Sequence, residues 1–573
     1  MPSRLDPVSL TLWLFSIYLS CALGITMLAN SRVSAAQQEP DATRPNAARP
    51  SPRERVAGPS VPEMEELQKR FAQARAAKEA GDLPAAARAN EKLIALGLRE
   101  MGKLRMVENA YPEASEFYRR SLELEDIPDA HVNLATAYLL ANQLEGSLAE
   151  ASKVLGSDPR NATIWTVQGE ALIRKKDYRA AVESLQRSLA LRTDPETSYA
   201  LASCHLRLKE KEKAAAIFQR MTVAAGERSD LHVLFGIAYR DAHMHDEAIQ
   251  EFQRALVLNP NAPGVHYLLG LSYLWRNEWA PSPEARREFH KQLELDPGNF
   301  GADYMLGYMA FSSYRLSEAD RYLAAAAAIN PQSAEALLYL GLNAYRGSQN
   351  RRAEGLLRKA IAIAEREGVS GHQDIRKAYT TLGRILITSG RGPEAQPYLR
   401  KARELEQTII SDDVQGSGVG AGDGSGVTST TVPNFPQNEP QVSLPPTDGP
   451  DVSAPLNPNI LSRAKLTTHG EREAKARERY LRSILGASFN DLATAEAIQE
   501  QYAAALKHYQ DAEHWDATVP NLMRNLGFAA YRAGNRQEAI RALKKALVIT
   551  PSDNAARDVL KELISSGQWQ GPR

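Results

Sequence analysis

From Ser229 to Ala262 the chain reads SDLHVLFGIAYRDAHMHDEAIQEFQRALVLNPNA, two amphipathic helical periods separated by a short break within 34 residues. On the first helix the landmarks are Gly236 and Tyr239; on the second they are Ala248, Phe252 and Ala255. Pro260 then closes the unit, because proline cannot continue a helix. The small residue of the first helix returns at Ala135, Gly169, Ala202, Gly236, Gly270, Gly307, Gly341 and Gly383, at spacings of 34, 33, 34, 34, 37, 34 and 42. Twelve residues after it stands a second small residue, at Ser147, Ala181, Ala214, Ala248, Ala319, Ala353 and Ala395, with Ala285 displaced by three. Small against small lets two helix backbones approach closely, so the pattern predicts helix pairs repeated along the chain. Pro159, Pro260, Pro297 and Pro331 close their units at the same offset.

This set of small, aromatic, alanine and proline positions resembles the tetratricopeptide repeat. The resemblance implies an all-α fold, an α-solenoid of stacked helix-turn-helix units forming a right-handed superhelix. It also implies a mode of action, holding another protein or a peptide against a stacked-helix surface.

Taken in order, the chain divides into five stretches. Residues 1–36 hold a charge-free apolar run, Val8 to Leu28, behind Arg4 and ahead of the small residues Val33, Ser34, Ala35 and Ala36. That is the form of a secretory signal, yet the run reaches the roughly 20 residues that span a bilayer, so an uncleaved membrane tether through residues 8–28 competes with cleavage. Lipidation of Cys21 fits less well, because bulky Leu19 stands where that signal takes a small residue. Either way the chain is expected to be exported, periplasmic or anchored facing that side. Residues 37–62, rich in Pro, Ala and Arg, show no apolar period and are expected to be a disordered spacer. Residues 63–410 form an array of about ten repeats, starting with a degenerate one around Ala74 and Ala86; only 28 residues separate Ala74 from Gly102. Residues 411–462 turn Gly/Ser-rich and then Pro-rich, a linker composition. Residues 463–573 make a second array, with a charged helix near Arg472 to Leu485, repeats at Ala493/Ala505 and Gly527/Ala539, and a capping helix bearing Val559, Leu560 and Leu563. Two insertions interrupt the period, APSPEARREF after Trp279 and EREGVSGHQD after Ile363.

Composition narrows the function. Sixty-nine basic and 69 acidic residues balance, which removes the electrostatic case for nucleic acid. Cys21 and Cys204 are the two cysteines, so packing rather than disulfides must hold the repeats, and Cys204 falls at an inward position. No phosphate loop or dinucleotide fingerprint occurs: the glycines from Gly416 to Gly426 follow no strand and never give G-x-G-x-x-G. His243 and His245 share one turn with Asp241 and Asp246, a poor basis for a closed metal site. His508 and His514, six apart on one helix, point to different faces. The expectation is a non-catalytic protein with no cofactor and no metal. An exported interaction scaffold is the first reading, and a structural subunit of an envelope or secretion assembly the second.

In this family the second, fifth, ninth, twelfth and thirteenth positions of each unit line the concave wall. Applied here, that rule gathers an apolar and aromatic groove over three units: Tyr267, Leu271, Leu274 and Trp275; Tyr304, Tyr308 and Phe311; Leu338, Leu342 and Tyr345. Flanking units break the pattern, with Thr166, Glu170 and Arg174 on one side and Thr380, Arg384 and Thr388 on the other. An apolar protein or peptide segment is the expected ligand, against the alternatives that curvature packs these rings on one another or that the linker's own VPNFP, Val432 to Pro436, lies in the groove.

Overall fold

The computed structural model describes residues 62–366, 373–416 and 468–565, and all regular structure among them is helical. The leader, the spacer, most of the linker and part of the Glu365 insertion lie outside the described residues. Among the described residues, twenty-four helices fall into two compact units, divided within one helix at Cys204.

The first unit takes both ends of the chain. It holds α1 (Pro62–Glu79), α2 (Leu83–Val107), α3 (Tyr111–Leu124), α4 (Pro128–Leu140), α5 (Leu144–Ser157), α6 (Ala162–Arg174), α7 (Tyr178–Leu191) and the start of α8 (Pro195–Arg207). The second unit comprises α9 (Lys211–Ala225), α10 (Ser229–Asp241), α11 (His245–Leu258), α12 (Val265–Arg276), α13 (Pro283–Leu295), α14 (Phe300–Ser312), α15 (Leu316–Ile329), α16 (Ala334–Arg346), α17 (Asn350–Arg366), α18 (Gln373–Thr388) and α19 (Gly392–Gly416). The chain then returns to the first unit with α20 (Thr468–Ile498), α21 (Tyr502–Trp515), α22 (Leu522–Arg532), α23 (Arg536–Ile549) and α24 (Asn554–Ser565).

Each helix pair is built the same way. The small residue of the second helix is fully buried in every regular repeat, as at Ala181, Ala248 and Ala319. Where the first helix carries glycine it leaves no room for a side chain against the second: a Cβ on Gly236 would stand 2.6 Å from the ring of Phe252, one turn beyond Ala248. Between the helices one residue turns the chain with a left-handed backbone, at Asn109, Asn142, Lys176, Lys209, His243, Tyr314, Ser348 and Glu500, and at glycine in Gly81, Gly390 and Gly534. That residue ends the first helix and hands its orphan carbonyls to the turn, as where the Gln143 amide donates to Tyr138 and Asn142 to Leu139. Side-chain caps open several helices, with Asn161, Asp177, Asn299 and Ser333 each accepting from an amide three residues on.

Three sequence expectations change. The short first interval arises because α2 is one rod of 25 residues, carrying the second helix of the first repeat straight into the first helix of the next. Likewise α20 runs unbroken for 31 residues, so the charged segment and the helix of Ala493 are one element. The third concerns the arrays. Leu93, Leu98 and Met101 of α2 share one core with Leu481, Leu485, Phe489 and Trp515 of α20 and α21. The C-terminal helices therefore belong to the packing of the N-terminal ones, and residues 205–416 form the other unit.

The insertion after Trp279 lengthens the turn, which spans 277–282 before Ser282 caps α13. The second insertion begins by extending α17 to 17 residues.

A first-helix face partly sealed by its own side chains

The proposed aromatic groove lies in the second unit on α12, α14 and α16, and most of it is core. Tyr267, Leu271, Leu274, Tyr304, Phe311, Leu338 and Leu342 are all at most 8 % exposed. Three positions keep partial exposure, Trp275, Tyr308 and Tyr345. The alternative reading of the sequence, that neighbouring rings pack on one another, accounts for the other seven.

Tyr339 of α16 sits at the centre of this packing. Its ring receives Tyr308 edge-on at 5.2 Å, Phe311 at 5.4 Å and Tyr304 at 6.2 Å, all from α14. Phe300 stacks on Tyr304 at 6.0 Å, and the Tyr267 ring from α12 fills the space over Gly301. Trp275 is held at the edge between the His245 ring, stacked at 5.8 Å, and Trp279, tilted at 4.6 Å. The turn histidines thus flank an indole: His243 lies 6.3 Å from Trp275. Among the described residues no cluster of three His, Cys, Asp or Glu is placed to hold a metal. Cys204 is buried. His508 and His514 part company as their spacing requires, the first bonded to Glu496 at 2.8 Å and the second beside Trp515.

The same positions on α6, in the first unit, are open by comparison. Thr163, Thr166, Glu170, Ile173 and Arg174 are all half-buried. Thr166 bonds Ser188 at 2.8 Å, and Arg174 donates to the Leu139 carbonyl. Burial pushes the Glu170 carboxyl up to about 7, with Arg174 opposing and Asp194 adding to the rise. Spacing marked Glu170 only as a break in an aromatic pattern; its raised value comes first from burial, with a smaller electrostatic push from Asp194, 24 residues away, and no local reading exposes either.

Between the two helices of a pair a second device recurs. His131, His232 and His266, at the fourth position of their units, bond Glu150, Glu251 and Glu288 on the facing helix at 2.5 to 2.6 Å. Lys153 and Lys291 reach the same carboxylates from one turn on, and Lys291 with His266 holds Glu288 below the usual carboxylate range against the opposing effect of burial. In the α6 repeat Trp165 takes the histidine position and Ser184 the glutamate position, and Arg187, at the position of Lys153, stacks on Trp165 at 4.7 Å.

Helix pairs that bury a shared small-residue seam and stack on neighbours define a repeat scaffold. Models of the tetratricopeptide repeat match residues 166–229, 236–274 and 520–553. These segments are tetratricopeptide repeats, and repeats of this class support a protein-interaction scaffold. Comparison with curated proteins gave no match. Solved structures similar to parts of the chain include MamA (26% identity, 31% of this chain and 96% of that one, TM-score 0.27). Yeast Tom70 (15%, 82% and 99%, TM-score 0.28) is another. A tetratricopeptide repeat protein from Parabacteroides merdae (16%, 44% and 98%, TM-score 0.32) is a third.

Proposed function

We propose that the chain is a non-catalytic scaffold that holds a protein or peptide segment against the first-helix face of its repeats, outside the cytoplasm. The observation that carries this reading is the contrast along that face. On α6 the positions the family uses for contact stay half-exposed, with Thr166, Glu170 and Arg174 offering a hydroxyl, a desolvated carboxyl and a guanidinium. Of the ten groove positions on α12, α14 and α16, three keep partial exposure, Trp275, Tyr308 and Tyr345, and these are the ones through which that face would meet a partner. Export rests on the sequence alone, on the apolar run from Val8 to Leu28; among the described residues no helix is long and apolar enough to cross a membrane.

Affinity capture from the exported fraction tests both parts. A Glu170→Ala/Arg174→Ala double variant and a Trp275→Ala/Tyr308→Ala double variant are compared with wild type, each checked for folding by circular dichroism. Loss of a partner in either folded variant by roughly 2 kcal/mol or more supports the face it alters. Unchanged capture by both overturns the reading. Mass determination of the mature N-terminus shows whether the leader is removed, and an intact Met1 in a cytoplasmic protein overturns export.

A further inference from the structure

The contact between the two ends of the chain in the first unit has an internal symmetry. Gly102 and Ala114 on α2 and α3 play the parts that Ala493 and Ala505 play on α20 and α21, so equivalent residues differ by 391 in number. In this register the apolar positions correspond one to one: Leu93 to Ile484, Ile94 to Leu485, Leu98 to Phe489 and Met101 to Leu492, and all eight are buried. Contacts between the halves run antiparallel. Gly97 meets Leu485, and further along α2 Arg105 reaches back to Glu478 at 2.7 Å. On the second helices Phe117 lies 5.6 Å from Trp515, and Arg120 pairs with Asp511 at 3.0 Å. Arg120 and Asp511 are themselves equivalents, and residues meet their own equivalents only beside a two-fold axis. The two repeats thus dock as an isologous pair does, through the same patch on each side.

We propose that this face is a self-association surface whose partner is a second copy of the chain. In one molecule α20–α21 closes on α2–α3 of the same chain; in a reciprocal dimer the 468–565 segment of each copy closes on α2–α3 of the other. Every contact just described is conserved in the exchange, because the surfaces are unchanged and only the covalent connection differs. Within one chain the two surfaces are covalently joined, so closure is intramolecular and independent of concentration, whereas exchange between copies is not. Exchange therefore grows when chains fold together at high concentration. This inference is independent of the peptide-binding reading.

The Arg120–Asp511 pair supplies the test. Arg120→Asp places two carboxylates at the axis within one chain, and Asp511→Arg places two guanidinium groups there. When the two variants are refolded together at equal amounts, a reciprocal heterodimer restores both opposite-charge pairs. Light scattering and mass spectrometry should show heterodimer at roughly fivefold or more the homodimer level of either variant refolded alone, the factor expected from about 0.5 kcal/mol for each of the two restored pairs. A mixture with no excess of heterodimer overturns the proposal. As a second measurement, Arg120→Cys/Asp511→Cys in a chain with Cys21 and Cys204 replaced by Ala is refolded and oxidised over a range of concentrations. A disulfide-linked dimer that increases with concentration supports exchange, and cross-linking only within the monomer at every concentration overturns it.

Discussion

The ring of Tyr267 occupies the place where a side chain at Gly301 would stand: a Cβ on Gly301 would come within 2.7 Å of Tyr267 Cε2. The two residues lie on α12 and α14, so the glycine is what lets one first helix press its aromatic residue onto the next. Gly301→Val should destabilise the second unit by about 1 to 3 kcal/mol, the usual cost of overpacking. Pairing it with Tyr267→Leu should recover part of that loss, since the smaller side chain vacates the contested space. Thermal unfolding of the two single variants and the double variant checks the coupling, and strictly additive losses would show that the contact is not the cause.

Glu170 makes stability fall as pH rises. Its folded value is pushed up to about 7 from an ordinary 4.5, so between those values the folded state retains a proton that the unfolded chain has released. Stability from this group is therefore highest at pH 4.5 and below, declines towards pH 7 and then levels. The melting temperature of Glu170→Gln relative to wild type should climb across that window, and a constant offset from pH 4.5 to 8 would contradict the assignment.

Glu513 works in the opposite sense. Arg541 and Lys545 hold it down to about 2 from an ordinary 4.5, the guanidinium hydrogen bond contributing most and burial opposing it. Its stabilisation is complete above pH 4.5 and is lost as pH falls towards 2. Arg541→Met should flatten the acid limb of the unfolding curve while changing the Glu170 window little, which chemical denaturation at pH 2.5, 4 and 6 measures.

The left-handed turn residue predicts a third kind of response. Lys176 adopts φ 63° between α6 and α7. A β-branched residue pays more for that conformation than lysine, and glycine pays least, so Lys176→Val should lower stability by about 1 to 2 kcal/mol. Lys176→Gly should match or exceed wild type, as judged by the midpoint of urea unfolding.

The period was plain in the sequence because it is local. Gly236 sits 16 residues from Phe252, well inside one unit, and the helix pair follows from that spacing. The insertion after Trp279 was equally visible, since it displaces Ala285 by three and lengthens one turn. Exposure was not. Tyr267 and Tyr304 carry the spacing of a groove, but Tyr267 is seated by the absence of a side chain at Gly301 and Tyr304 packs against Tyr339, features of how neighbouring units press together. Docking of α20 on α2 was least visible of all. Glu478 and Arg105 are 373 residues apart, and an amphipathic face at a chain end gives no sign of whether water or another helix covers it.

Because the first unit is assembled from both ends of the chain, its folding is tied to the order of synthesis. When α2 has emerged, the helix that covers Leu93, Leu98 and Met101 is still more than 350 residues from being made. At about 5 to 20 residues per second, that interval lasts roughly 20 to 70 seconds. Through it the nascent chain carries an uncovered apolar strip, open to a chaperone or to the finished C-terminal helices of a neighbour on the same message. Ribosome spacing, rather than the native structure alone, would then set how often the chain closes on itself.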